Sequence, residues 1–153
     1  FGSSACEVNL GASALIPDAY VPDVHMRLVL YKRASEAHTP QALDELKVEM
    51  IDRFGLLPPQ AERLMQAAQV RIAGEALGLS KVRAGAKGAV LEFGPEPRIE
   101  TPKLIRLMQA QPRVYKLEGA RRLHINSPLD PPESRAERLL KLLEVLRPAP
   151  AEA

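Results

Sequence analysis

The chain has little of the things that would declare a chemistry. It holds one cysteine, Cys6, so no internal disulfide can form, which suits a reducing compartment and a cytoplasmic location. There is no Trp and only 4% of residues are aromatic, so the core has to be built from Leu, Ile, Val, Met and Ala. The three histidines, His25, His38 and His124, lie far apart and have no Cys or His at ligand spacing, which argues against a zinc site. No apolar run approaches the roughly 18 residues that span a bilayer, so no membrane partner is expected. No Gly-Lys is followed by Ser or Thr, which excludes a Walker A loop, and no Gly-x-Ser-x-Gly, His-Glu-x-x-His or Cys-x-x-Cys pattern occurs. The glycine-rich stretch Gly85-Ala86-Lys87-Gly88 sits where a hairpin turn is expected, not between a strand and a helix where it could cradle phosphate. His25 beside Asp23 is a common surface pairing. No catalytic residue, metal or cofactor is therefore expected, and the chain reads as a non-enzyme.

What is present is an ordinary globular composition, with 153 residues, 46% hydrophobic and 26% charged. Residues 7–147 are expected to form one domain. Residues 1–6, beginning Phe1-Gly2-Ser3-Ser4, read as a cloning remnant or linker ahead of a piece of a longer protein, and 148–153 as a flexible tail.

Glu7–Leu10 is a strand candidate that Ala14–Pro17 could extend. Pro22 and Asp23 open a helix to about Glu36, apolar nearly all round, which points to burial on several sides. Thr39-Pro40 and Gly55 mark both ends of the next helix, whose Leu43, Leu46, Met50 and Phe54 recur at helical spacing. Leu56-Leu57-Pro58-Pro59 reads as a stiff link, and a third helix follows it to about Leu77, with Ala61, Leu64, Met65, Ala68 and Ile72 on one face and Gly78 as its stop. A hairpin over 81–93 with a four-residue loop follows, then a short helix from Thr101, a second hairpin over 114–125, and a final helix from Pro132 or Glu133 to Leu146. Helices first and hairpins later, with a short helix between them and one at the end, predict a single compact α+β domain.

Charge is segregated although the net value is only +2: residues 1–78 carry −3, 79–125 carry +6 and 126–153 carry −1. If both hairpins join one sheet, Lys81, Arg83, Lys87, Arg121 and Arg122, with Lys116, could make a positive face for nucleic acid. The plainer reading is a solvated sheet face whose lysines guard its edges. On the 39–54 helix, Glu45, Glu49 and Asp52 fall within about 60° of one another, opposite the apolar stripe. Like charges three and four apart repel mildly, by roughly 0.2–0.5 kcal/mol per pair, and Asp52 faces the negative end of the helix dipole. Arg53 could pair with Glu49. The stripe is then either a solvated face or a docking site for a basic partner.

Three stretches in this order carry a resemblance: Ile16-Pro17-Asp18-Ala19-Tyr20-Val21-Pro22-Asp23-Val24, Arg27-Leu28-Val29-Leu30-Tyr31-Lys32-Arg33, and Glu49-Met50-Ile51-Asp52-Arg53-Phe54-Gly55-Leu56-Leu57-Pro58. Together they resemble the C-terminal domain of bacterial transcription-repair coupling factors (Mfd), over about Glu7 to Arg147. Beyond Pro95 only the general pattern agrees. The resemblance implies a parent that is an ATP-driven DNA translocase, which displaces stalled RNA polymerase and recruits the excision-repair protein UvrA. ATP and Mg would then belong to a motor outside this chain. It also implies that this domain is an autoinhibitory clamp that packs on the parent's UvrB-like module and masks the surface UvrA needs. The family's contact residues map onto Glu49 and Asp52, which would meet arginines on that module; Glu45 is added by helix geometry alone.

Overall fold

The computed structural model describes residues 5–149; the first four residues, 1–4, and most of the expected tail, 150–153, lie outside it. The order is β1 (Glu7–Asn9), α1 (Val24–Glu36), α2 (Pro40–Phe54), α3 (Pro59–Ala76), β2 (Leu79–Gly85), β3 (Gly88–Phe93), α4 (Thr101–Ala110), β4 (Tyr115–Glu118), β5 (Arg122–Ile125) and α5 (Arg135–Leu146), the last preceded by a 3-10 turn. The fold is α+β, as the sequence predicts.

The five strands form one sheet in the order β1-β2-β3-β5-β4. β1 runs parallel to β2, while the remaining pairings are antiparallel. The parallel pairing is possible because three helices intervene between β1 and β2, giving the chain length to cross back. Val82, Ala84, Ala89, Leu91, Leu123 and Ile125 alternate onto the inner sheet face, where α3 and α5 cover them.

A second cluster forms where α1, α2 and α3 meet, built on Leu30, Leu43, Leu46, Met50, Met65 and Ala68. α3 serves both: Leu64, Met65, Ala68 and Ile72 face the helical cluster, while Val70 and Ala73 face the sheet. Every fully buried large side chain is Leu, Met or Val. This follows from the shortage of aromatics.

Several expectations change. Residues 14–17 do not extend β1: Gly11 turns the chain at φ +70°, and Leu15 and Ile16 donate their N–H groups to Gln60 O and Tyr31 Oη instead. The first hairpin closes with Gly85 opposite Gly88, so its loop has two residues, Ala86 and Lys87, not four. The last α-helix starts at Arg135, after the 3-10 turn at Pro132–Ser134. α1 is not buried on several sides. Its Leu30 and Ala34 are buried against α2, α3 and the segment before it, but Val24 and Leu28 on the other side are 60% and 61% exposed. His25 and Asp23 do meet, but through the backbone N–H of His25, which donates to the Asp23 carboxylate in a helix N-cap.

Candidate interaction surface

α2 is firmly placed. The Thr39 hydroxyl accepts the Ala42 N–H at its start, and Gly55 closes its end through a bond to Ile51 O. Leu43, Leu46 and Met50 are almost wholly buried beneath it. Its C-terminal end is held further by Tyr20, whose hydroxyl donates to Gly55 O at 2.6 Å and whose ring meets Phe54 edge-on at 5.8 Å. Lys47 fixes one flank through Glu62 of α3, at 2.7 Å.

The outer face therefore stands on a rigid element. Glu45 and Asp52 are exposed, and among the described residues neither takes part in a salt bridge. Glu49 differs. Its Oε2 accepts from Arg33 of α1 at 2.6 Å and from Arg53 at 3.4 Å. The Arg33 hydrogen bond, seconded by Arg53, holds the Glu49 carboxyl below its usual range. The repulsion expected along the stripe is thus relieved at its middle member. Arg53 is the partner that the spacing offers; Arg33, from another helix, is one that spacing along a single helix cannot reveal.

Sequence reasoning also missed Val48. It is 58% exposed and shares the outer face with Asp44, Glu45 and Asp52, three or four residues away. Its position on the helical wheel, opposite Leu43, Leu46 and Met50, was the available signal.

Both hairpins do join the same sheet, and along one row of its outer face the register interleaves their charges with acids, while the next row, Asn9, Arg83, Val90, His124 and Lys116, holds no acid. Glu7, Lys81, Glu92, Arg122 and Glu118 are successive cross-strand neighbours across all five strands, alternating in sign. Lys81 Nζ lies 3.7 Å from Glu7 and 4.0 Å from Glu92; Arg122 lies 3.7 Å from Glu92 and 3.8 Å from Glu118. Lys87 sits in the turn at one end of β3 and Arg121 in the loop at the other, while Arg83 is exposed one row away on the outer face. A duplex laid along the row from Glu7 to Glu118 would meet three acids and two bases.

The Glu118 carboxyl is likewise held below its usual range, by His124 Nε2 at 2.6 Å and then by Arg122. Both Glu49 and Glu118 have a lower pKa folded than unfolded, so each contributes stability that is present above about pH 4.5 and lost as pH falls through the folded value. The thermal midpoint is expected to fall as pH is lowered from about 5 to 3, and Glu118→Gln to make that fall shallower. Thermal melts at a series of pH values would show it; a variant with the wild-type slope would count against the pair.

Among the described residues no group of three or more His, Cys, Asp or Glu could hold a metal ion, and no helix is long and apolar enough to cross a membrane. A cleft of about 750 Å³ between α3 and α5, whose lining includes Ile72, Leu77, Leu143, Glu75 and Arg147, contains none of the α2 acids.

A five-stranded mixed sheet backed by helices, joined to a helical subassembly whose outer face on α2 is acidic, defines an α+β module. The TRCF domain family model matches residues 10–104. The transcription-repair-coupling factor of Escherichia coli strain K12 is 42% identical over 135 residues, covering 88% of this chain, and that of Haemophilus influenzae is 38% identical over 140 residues, covering 92%. The chain belongs to the transcription-repair coupling factor family. It spans about 12% of the length of those two relatives. A crystal structure of the C-terminal domain of a transcription-repair coupling factor shares the fold, with a TM-score of 0.73 over 93% of this chain and 94% of that one, at 19% identity.

Proposed function

We propose that this chain is a non-catalytic regulatory domain that docks, through the outer face of α2, on an arginine-bearing surface of its own parent. The docking surface is the UvrB-like module that the family resemblance implies, and docking masks the surface UvrA needs. The ATP- and Mg-dependent motor, and the contacts with RNA polymerase and DNA, then belong to other parts of a cytoplasmic parent.

The observation that carries this reading is the composition of the face itself. Exposed Val48 is surrounded by Asp44, Glu45 and Asp52, with Glu49 beside them, on a helix capped at both ends. Interfaces commonly place an apolar contact inside a polar rim, and complementary charge selects the partner. On the sheet Lys81 and Arg122 are matched by acids across the strands, whereas among the described residues Glu45 and Asp52 of α2 have no salt-bridge partner.

In the full-length parent, the double reversal Glu49→Lys with Asp52→Lys is expected to raise UvrA binding at least about tenfold, since like charges set against each other at an interface cost several kcal/mol. Asp52→Lys alone, which leaves the Arg33–Glu49 pair intact, should give a substantial part of that rise. Unchanged UvrA binding in a double variant that folds normally by circular dichroism would sink the reading.

A further inference from the structure

The acidic face is not uniformly available. Among the described residues Glu45 and Asp52 have no cation partner, whereas Oε2 of Glu49 already accepts from Arg33 and Arg53. Arg33 and Glu49 are 41% and 38% exposed, so their pair is held in solvent rather than locked in the core, and it can exchange. The two arginines on Glu49 are not equivalent. Arg53 belongs to α2, is the more distant at 3.4 Å, and also lies over the Phe54 ring at 5.1 Å, so it keeps a favourable place if Glu49 turns away. Arg33 comes from α1, makes the short bond at 2.6 Å, and has no second acid partner among the described residues.

We infer that Arg33 is an intramolecular competitor for the docking partner: it holds Glu49 through Oε2, so a partner guanidinium meets a carboxylate whose charge is already shared unless it displaces Arg33. This rests on the docking reading above. Docking then proceeds on unequal acids. Glu45 and Asp52 engage directly, while the contact at Glu49 is made to a carboxylate already paired with Arg33 and yields less than a new ion pair would. The contact is thereby kept weaker than its charge count implies, which suits a contact that has to open.

The test uses the full-length parent and reads UvrA affinity alongside the double reversal at Glu49 and Asp52. Arg33→Gln frees Glu49, strengthens the closed form and is expected to lower UvrA affinity roughly two- to fivefold, the scale of one exposed ion pair. Arg33→Lys, which keeps the pair, should restore the wild-type value. Lys32→Gln removes a neighbouring exposed cation that is in no salt bridge among the described residues, and should leave affinity unchanged.

If Arg33→Gln leaves UvrA affinity unchanged or raises it while the double reversal also raises it, the competitor role is overturned and docking stands. An equal fall in Lys32→Gln and Arg33→Gln overturns it too, in favour of general charge. No response to the double reversal overturns both docking and competition. Arg33→Gln is expected to melt within about 2 °C of wild type, because surface substitutions away from caps and cores move stability little.

Discussion

Replacing Arg135 with methionine is expected to lower the unfolding free energy by about 3 kcal/mol, a value set by the hydrogen bonds it would orphan. Arg135 is only 4% exposed, and it is the one charged residue buried this deeply among those described. Its Nε donates to Leu129 O and its Nη1 to Leu10 O, each at 2.8 Å, while Nη2 meets Asp130 Oδ1 at 3.1 Å. The bond to Leu10 joins residues 125 apart in sequence. It ties the segment after β1 to the start of α5.

A buried ion pair replaced by apolar groups on both sides is often no worse, because desolvation cost disappears with the charges. Arg135 differs because two of its partners are main-chain carbonyls, which remain after the substitution. Each acceptor left without a donor costs about 1–3 kcal/mol, partly offset by no longer burying a charge. For a chain of this size the thermal midpoint should drop by about 6–12 °C. Urea titration of wild type and variant measures the difference. A loss below about 1 kcal/mol would mean that the bonds merely repay the burial of the guanidinium. Lysine should not rescue the site, since one ammonium cannot reach three acceptors arranged around a planar fork.

The second large effect is expected at Gly78. It follows α3 with φ +72°, a left-handed conformation in which alanine loses about 1–2 kcal/mol. A β-carbon there would also collide with the Glu96 carbonyl oxygen and crowd Pro97 Cα at 3.0 Å. Those residues form a strap over the end of α3, pinned by Gly94 N–H to Gly78 O and by Arg98 N–H to Leu77 O, both at 2.8 Å. Gly78→Ala must therefore displace backbone as well as strain it, and about 3 kcal/mol or more is expected, with overpacking adding to the conformational term.

Gly55 is the internal comparison. It too has positive φ, +94°, but a β-carbon there would meet nothing within 4 Å. Its alanine variant should show the conformational cost alone, about 1–3 kcal/mol. Equal losses at the two positions in parallel denaturation curves would show that crowding by the strap contributes nothing.

Much of the helical half was legible because its signals are local. Thr39, Pro40 and Gly55 mark the two ends of α2 within a residue, and the Leu43–Leu46–Met50 stripe is the buried one. Leu139, Leu143 and Leu146 of α5 point inward as their spacing predicts, although Leu142 is only half-buried.

What was not legible depends on pairing between distant residues. Nothing near β1 announces that it will run parallel to β2, or that β3 will lie beside β5 rather than β4. The +6 charge of residues 79–125 looks like a platform until the register alternates Lys81 and Arg122 with Glu7, Glu92 and Glu118. The apolar girth of α1 was read as burial, but periodicity cannot say how many neighbours a helix will have, and Val24 and Leu28 face outward. For the proposed interaction surface, the helical wheel groups Glu45, Glu49 and Asp52 on one face of α2, but it could not find Arg33 on a different helix.

α3 touches two apolar clusters with opposite sides of one rod, Met65 and Ala68 on one and Val70 and Ala73 on the other. Neither cluster can come apart without stripping that rod of half its burial, so the helical half and the sheet half lack the means to melt separately. For the docking proposed above, such a shared beam means that α2 lets go of a partner and takes hold again together with the whole module: it is not loose while the sheet is whole.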